Sequence, residues 1–200
     1  MQANESVTDK GMCRARWLIA SFADPDGKVA RSSRGQCITI KRLGIRIVLK
    51  RGRSHAELMQ RFKGRLIKQT IFEYNLLLNE GINELWTLVA GTGATKFDNT
   101  NAYIGVGDSA TAADATQTGL QAATNKVYKA MDASYPTYGS SQKTTWRSTF
   151  GSGDANFAWN EITVANGNSD ASKNLNRKVQ SMGTKAILTT WVATLEITLS

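Results

Sequence analysis

Two hundred residues with 41% hydrophobic content suffice for one domain with a real core, with or without an appendage. No apolar run approaches the roughly eighteen residues of a membrane span, and polar Met1 to Lys10 leads into no apolar stretch long enough for a cleaved secretion signal. The net charge of +9 is uneven: residues 1–68 hold sixteen Lys and Arg against five Asp and Glu, and the remainder holds nine against eleven. The excess is an N-terminal feature, which reads as a basic arm appended to a domain.

Residues 1–36 show no sustained period, and Asp24-Pro25-Asp26-Gly27 is a turn signal. Cys13 and Cys37 have no C-x-x-C spacing and no histidine partner, so free thiols in a reducing compartment are expected. From Cys37 to Arg53, Ile38 and Ile40 and then Ile45, Ile47 and Leu49 alternate with Thr, Lys, Arg and Val. Either a cationic hairpin turning near Gly44 or a basic amphipathic arm that orders against a partner fits this text. Ser54 and Glu57 have capping-box spacing, and Leu58, Phe62 and Leu66 recur at four-residue steps, predicting a short helix over Ser54 to Gln69.

Thr70 to Leu78 reads as a first strand. Asn79 is an expected N-cap, and Glu80 and Glu84 suit the positive end of a helix dipole. Ile82, Leu85, Trp86 and Val89 then fall on one helical face, with Gly91 as the stop. One helix over about 80–90, its apolar stripe plugging a sheet, is predicted. Strands follow at Ala102 to Val106, Lys126 to Met131, Lys143 to Phe150, Asn156 to Val164 and Leu175 to Val179, with Ser109 to Thr124 a surface excursion and Tyr135 to Ser141 a loop. The last stretch, Thr189 to Ser200, keeps period two: Trp191, Ala193, Leu195, Ile197 and Leu199 lie on one side and Thr190, Val192, Thr194, Glu196, Thr198 and Ser200 on the other. About six strands at this spacing predict a mainly antiparallel β-sandwich with one short helix, over residues 59–200, preceded by a weakly ordered basic arm over residues 1–58.

The chemistry-bearing residues point away from catalysis. Gly105-Val106-Gly107-Asp108 opens like a phosphate loop but lacks the third glycine and the Lys-Ser or Lys-Thr that would complete one, so it reads as a strand end and turn. His55 is the single histidine and has no assembled partners. Asp154 and Glu161 have the spacing that polar turn residues produce without any catalytic role. No catalytic, metal or cofactor-binding residue is assigned. Trp17, Trp86, Trp146, Trp159 and Trp191 are expected in the core rather than on a carbohydrate platform. Arg42, Arg46, Lys50, Arg51, Arg53, Arg61, Lys63, Arg65 and Lys68 are candidate docking contacts for an acidic protein surface or for nucleic-acid phosphates.

The order of segments from about Asn75 onward resembles small virion structural proteins of tailed bacteriophages. The residues that carry the likeness are Leu76-Leu77-Leu78-Asn79-Glu80-Gly81-Ile82, Ala102 to Asp108, Thr118-Gly119-Leu120, Asp154 to Glu161, Leu175-Asn176-Arg177-Lys178 and Gly183-Thr184-Lys185. Asp154 stands where that group commonly has Glu, and residues 1–58 have no counterpart. The resemblance implies a non-enzymatic capsid-decoration protein, in the virion after assembly in the host cytoplasm, forming a homotrimer or other homo-oligomer and contacting the major capsid protein. A tail, collar or fibre-attachment protein contacting tail or collar partners is the alternative within the group. A nucleic-acid-binding protein using the arm, or a carbohydrate-binding module, are readings outside it.

Overall fold

The computed structural model describes residues 13–23, 40–42, 45–47, 66–187 and 189–199. Two five-stranded antiparallel sheets face each other. In the first, β4 (Leu66–Glu73), β1 (Cys13–Ala23), β12 (Thr189–Leu199), β9 (Lys143–Phe150) and β8 (Thr137–Ser140) lie in that order. In the second the order is β5 (Leu76–Leu77), β11 (Asn176–Thr184), β10 (Ala158–Ala165), β6 (Tyr103–Gly107) and β7 (Lys126–Ala130). The helix α1 (Asn79–Ala90) follows β5, and β2 (Ile40–Arg42) pairs with β3 (Ile45–Ile47) as a separate hairpin. Among the described residues the chain therefore forms a β-sandwich with one short helix.

The closing strand behaves as its two-residue rhythm requires. Trp191, Ala193, Leu195 and Ile197 are buried, whereas Leu199 at the end of the same row is 61% exposed. β12 sits at the centre of its sheet, between β1 and β9. Trp17, Ile19, Phe150 and Leu195 from the first sheet meet Ile104, Val106, Ile162 and Val164 from the second in one core. Trp159 forms edge-on ring contacts with Phe150 and Trp191, at centroid distances of 4.7 and 4.8 Å, across the two sheets. Pairing of β10 with β11 is irregular between Trp159 and Glu161. Trp159 therefore joins Ile162 and Val164 in the core rather than sharing a side with Glu161.

Three expectations are corrected. The N-terminal part, read as lacking any period and assigned to the arm over residues 1–58, contributes β1, an eleven-residue strand between β4 and β12. Ala15, Trp17, Ile19 and Ser21 face inward, while Leu18, Ala20 and Phe22 on the other row are half-buried, which hides the alternation. The helix expected to run to Gln69 gives way to β4 at Leu66, because these residues pair with β1; Ser54 to Arg65 lie outside the described residues. The loop over Tyr135 to Ser141 contains the edge strand β8. Of the cysteines, Cys13 starts β1 and Cys37 lies outside the described residues.

Trp17 has no exposed surface, so Trp17→Ala should cost about 3–5 kcal/mol. Urea unfolding of the full chain measures this, and a loss under about 1 kcal/mol would remove β1 from the core.

Candidate functional site

A fully buried ion pair organises the outer face of the second sheet. Arg177 on β11 and Glu161 on β10 have no exposed side-chain surface, and Arg177 Nε donates to Glu161 Oε2 at 2.8 Å. Burying two charges costs several kcal/mol each unless every remaining group is satisfied. The excursion between β6 and β7 does this. Arg177 donates to Thr111 O at 2.9 Å, to Gln117 Oε1 at 2.7 Å and to Ala112 O at 3.3 Å. Glu161 accepts the backbone N–H groups of Gln121 and Ala122 at 2.9 and 2.7 Å. Gly107 is the neighbour that makes room: a Cβ there would lie 2.3 Å from Glu161 Oε1. The Gly-x-Gly text is thus the end of a strand packed under a carboxylate.

The same excursion fixes α1. Asn79 N donates to Ala115 O at 2.8 Å. Glu80 Oε1 accepts from Asn174 N at 2.8 Å and Glu84 Oε1 from Thr95 N at 2.8 Å and Asn166 Nδ2 at 2.9 Å. Leu78, not Asn79, occupies the cap position, with no side-chain cap hydrogen bond; Gly91 closes the helix with its N–H on Thr87 O at 3.0 Å. Gly81 is buried, and a Cβ there would lie 2.5 Å from Leu175 Cα, so only glycine permits this approach. Glu80, Gly81, Glu84 and Leu88 therefore form the inward face.

Three of the four residues of the expected apolar stripe are consequently turned outward and Ile82 is half-buried, which corrects the predicted plug. Trp86 is 65% exposed, Val89 76% and Leu85 38%. Ile71, Tyr74 and Leu76, just upstream, are exposed as well. The exposed residues of α1 are otherwise Asn79, Asn83, Thr87 and Ala90, so this face is apolar and uncharged. Of the five tryptophans, four are in the core as predicted and Trp86 is not. Beside β5, a shallow cleft of about 400 Å³ is lined by Tyr74, Asn75, Leu76, Ala112 and Lys178 among others. Tyr74 adopts a left-handed φ of 60°, and its N–H donates to Ala15 O at 3.0 Å.

Three of the nine basic candidates lie among the described residues. Arg42 lies on β2 and Arg46 on β3, paired antiparallel with Ile45 and Lys41, which matches the hairpin alternative. Lys68 is exposed on β4, opposite Ser21. Lys50, Arg51, Arg53, Arg61, Lys63 and Arg65 lie outside the described residues, as does His55. Asp154 and Glu161 serve different sites: Asp154 pairs with Lys129 at 2.7 Å, while Glu161 pairs with Arg177. Sequence reasoning missed Arg177 and Lys185 as buried cations, and nothing in their local text marks them. No group of three or more His, Cys, Asp or Glu able to hold a metal is present among the described residues. No described helix is long and apolar enough to cross a membrane. No protein-family model, curated protein or solved structure matches the chain.

Tyr128 on β7 donates to Asp170 Oδ1 at 2.8 Å, and Lys126 pairs with the same carboxylate. Burial, then this carboxylate, pushes the Tyr128 phenol far above its ordinary value. A raised folded-state value stabilises fully below the unfolded value near 10 and progressively less as pH rises past it. Tyr128→Phe should therefore flatten the alkaline decline of stability, read by urea unfolding across that range. Arg177→Met leaves the Glu161 charge buried and should cost about 3–5 kcal/mol, whereas replacing both partners with apolar residues should cost less than that single change.

Proposed function

We propose that this chain is a non-enzymatic structural protein of a tailed-bacteriophage virion, most simply a capsid-surface decoration protein that works by contact between copies. The observation that carries the contact role is the reversed helix. Its carboxylates are spent inside the fold, on Asn174, Thr95 and Asn166, and its tryptophan faces outward. A large exposed aromatic flanked by aliphatic neighbours is the composition of an interface centre, not of an ordinary wet surface.

The occupant we assign to this face is a second copy of the chain. Symmetric pairing sets the same patch against itself, and a patch of one charge would repel itself there. Here the exposed side chains of α1 carry no charge, so self-pairing meets no such penalty, and Asn83 and Thr87 supply a polar rim. The virion assignment rests on the ordered likeness of segments from Asn75 onward. A tail or collar position would use the same surface. The decoration role is preferred because the N-terminal excess of positive charge suits an acidic outer shell.

Sedimentation of the full chain tests the contact role. The parent should sediment as a concentration-dependent oligomer, and Trp86→Glu should sediment as a monomer with an unchanged circular dichroism spectrum, since Trp86 supports no buried core. A parent that stays monomeric at high concentration refutes self-association through this face. Cryo-electron microscopy of purified particles tests the virion role, which their lacking the protein would refute.

A further inference from the structure

The turn before β10 and the end of β11 bring an amine, an amide and a carboxylate together. Lys185 directly follows β11 and is 1% exposed. Its Nζ donates to Asn156 Oδ1 at 2.9 Å and to Gly151 O at 2.6 Å. The amide is oriented from its other end, because Asn156 Nδ2 donates to Ser152 O at 2.8 Å. Asn156 itself is exposed, so its nitrogen has a route to water. Lys185 N donates to Phe157 O at 3.0 Å, which holds the two backbones in register around the pair. Ala155 is buried and accepts the Trp159 indole N–H at 2.9 Å, so the turn is seated on the aromatic centre of the core.

Asp154 is the third member. Burial would raise its carboxyl, but the Lys129 ammonium, the Gly151 N–H and the charge of Lys185 hold it below the ordinary carboxylate range. Its Oδ2 accepts from Lys129 Nζ at 2.7 Å and from Gly151 N at 2.8 Å, and the carbonyl of that same Gly151 holds Lys185 Nζ, so Gly151 links the carboxylate to the amine.

We propose that Lys185 and Asn156 join in an intramolecular isopeptide bond, with Asp154 carrying the proton. One proton of the Lys185 ammonium passes to the Asp154 carboxylate, leaving a neutral amine. Nζ attacks Asn156 Cγ, and the Nζ–Cγ bond forms. A second proton moves from that nitrogen to Nδ2, the Cγ–Nδ2 bond breaks, and ammonia leaves. The proton on Asp154 follows it, so ammonium is released and the carboxylate is restored. One proton remains on the new amide nitrogen, and no oxidant or cofactor is consumed. Fixing both partners in one fold replaces the encounter that makes such a reaction slow between free side chains. The bond would tie the entry of β10 to the exit of β11, closing a loop that the unfolded chain could no longer open. It does not depend on the virion reading.

Intact-mass spectrometry of the purified full chain is the test. The expected mass is that of the sequence less one ammonia, and proteolysis should yield a branched peptide containing both Asn156 and Lys185. Lys185→Arg and Asp154→Ala should each show no ammonia loss, with circular dichroism confirming that the variant measured is folded. A folded parent at its full sequence mass overturns the proposal. So does ammonia loss without the branched peptide, which would mark cyclisation of Asn156 on its own backbone.

Discussion

The Arg177–Glu161 pair sets more of this structure than any apolar contact. Two ions without exposed surface demand a complete shell of donors and acceptors, and the strands beside them cannot supply it. The shell comes from Thr111 to Ala122, a stretch rich in Ala, Thr and Gln whose buried apolar side chains are Leu120 and Ala122. Once that stretch is pinned, Ala115 O is in place for the first N–H of α1, and Glu80 and Glu84 find their donors in the loop around Asn166 to Asn174 and at Thr95. The helix is thus oriented by polar contacts, with Leu88 against the core and Gly81 on Leu175 beneath it. Its apolar side is left over rather than chosen by the core.

That order of causes explains which features were legible. The bounds of α1 follow from local rules, and Gly91 ends it where the text says it should. Its rotation does not, because the groups that set it lie far along the chain: Asn174 is ninety-four residues from Glu80. Periodicity alone assigned Ile82, Leu85, Trp86 and Val89 to the core, on the premise that a helix faces its sheet with its apolar side. Gly81 breaks that premise, since it brings the backbone of α1 onto that of Leu175.

The strands divide in the same way. β12 was readable because one row is buried and the other is not, and β9 because Trp146, Ser148 and Phe150 are buried while Lys143, Arg147 and Thr149 on the other row are not. β1 was not, because Leu18 and Phe22 stand on its outer row and blur the two-residue pattern around Trp17. β10 is buried along both rows over Glu161 to Ala165, one against the core and the other under the excursion. Its text therefore shows no polar face, and Glu161 looked like an ordinary solvated residue. Charge type alone cannot separate a solvated cation from one at zero exposure; only the partner can, and Arg177 finds its partner sixteen residues away.

Charge use also separates the parts of the chain. In the sandwich, Arg177, Lys129, Arg147 and Lys126 are each bound to a carboxylate, and Lys185 is buried at the turn before β10. Cations engaged in this way add little to a long-range field. The exposed face of α1 adds none. A chain carrying +9 overall therefore presents a nearly neutral sandwich, with its positive excess confined to the first third of the sequence. A neutral apolar face and a cationic segment attract different things: the first favours another copy of itself, which high charge would repel, and the second favours an acidic surface. On the proposed self-association, a face without charge meets no like-charge repulsion across the pair.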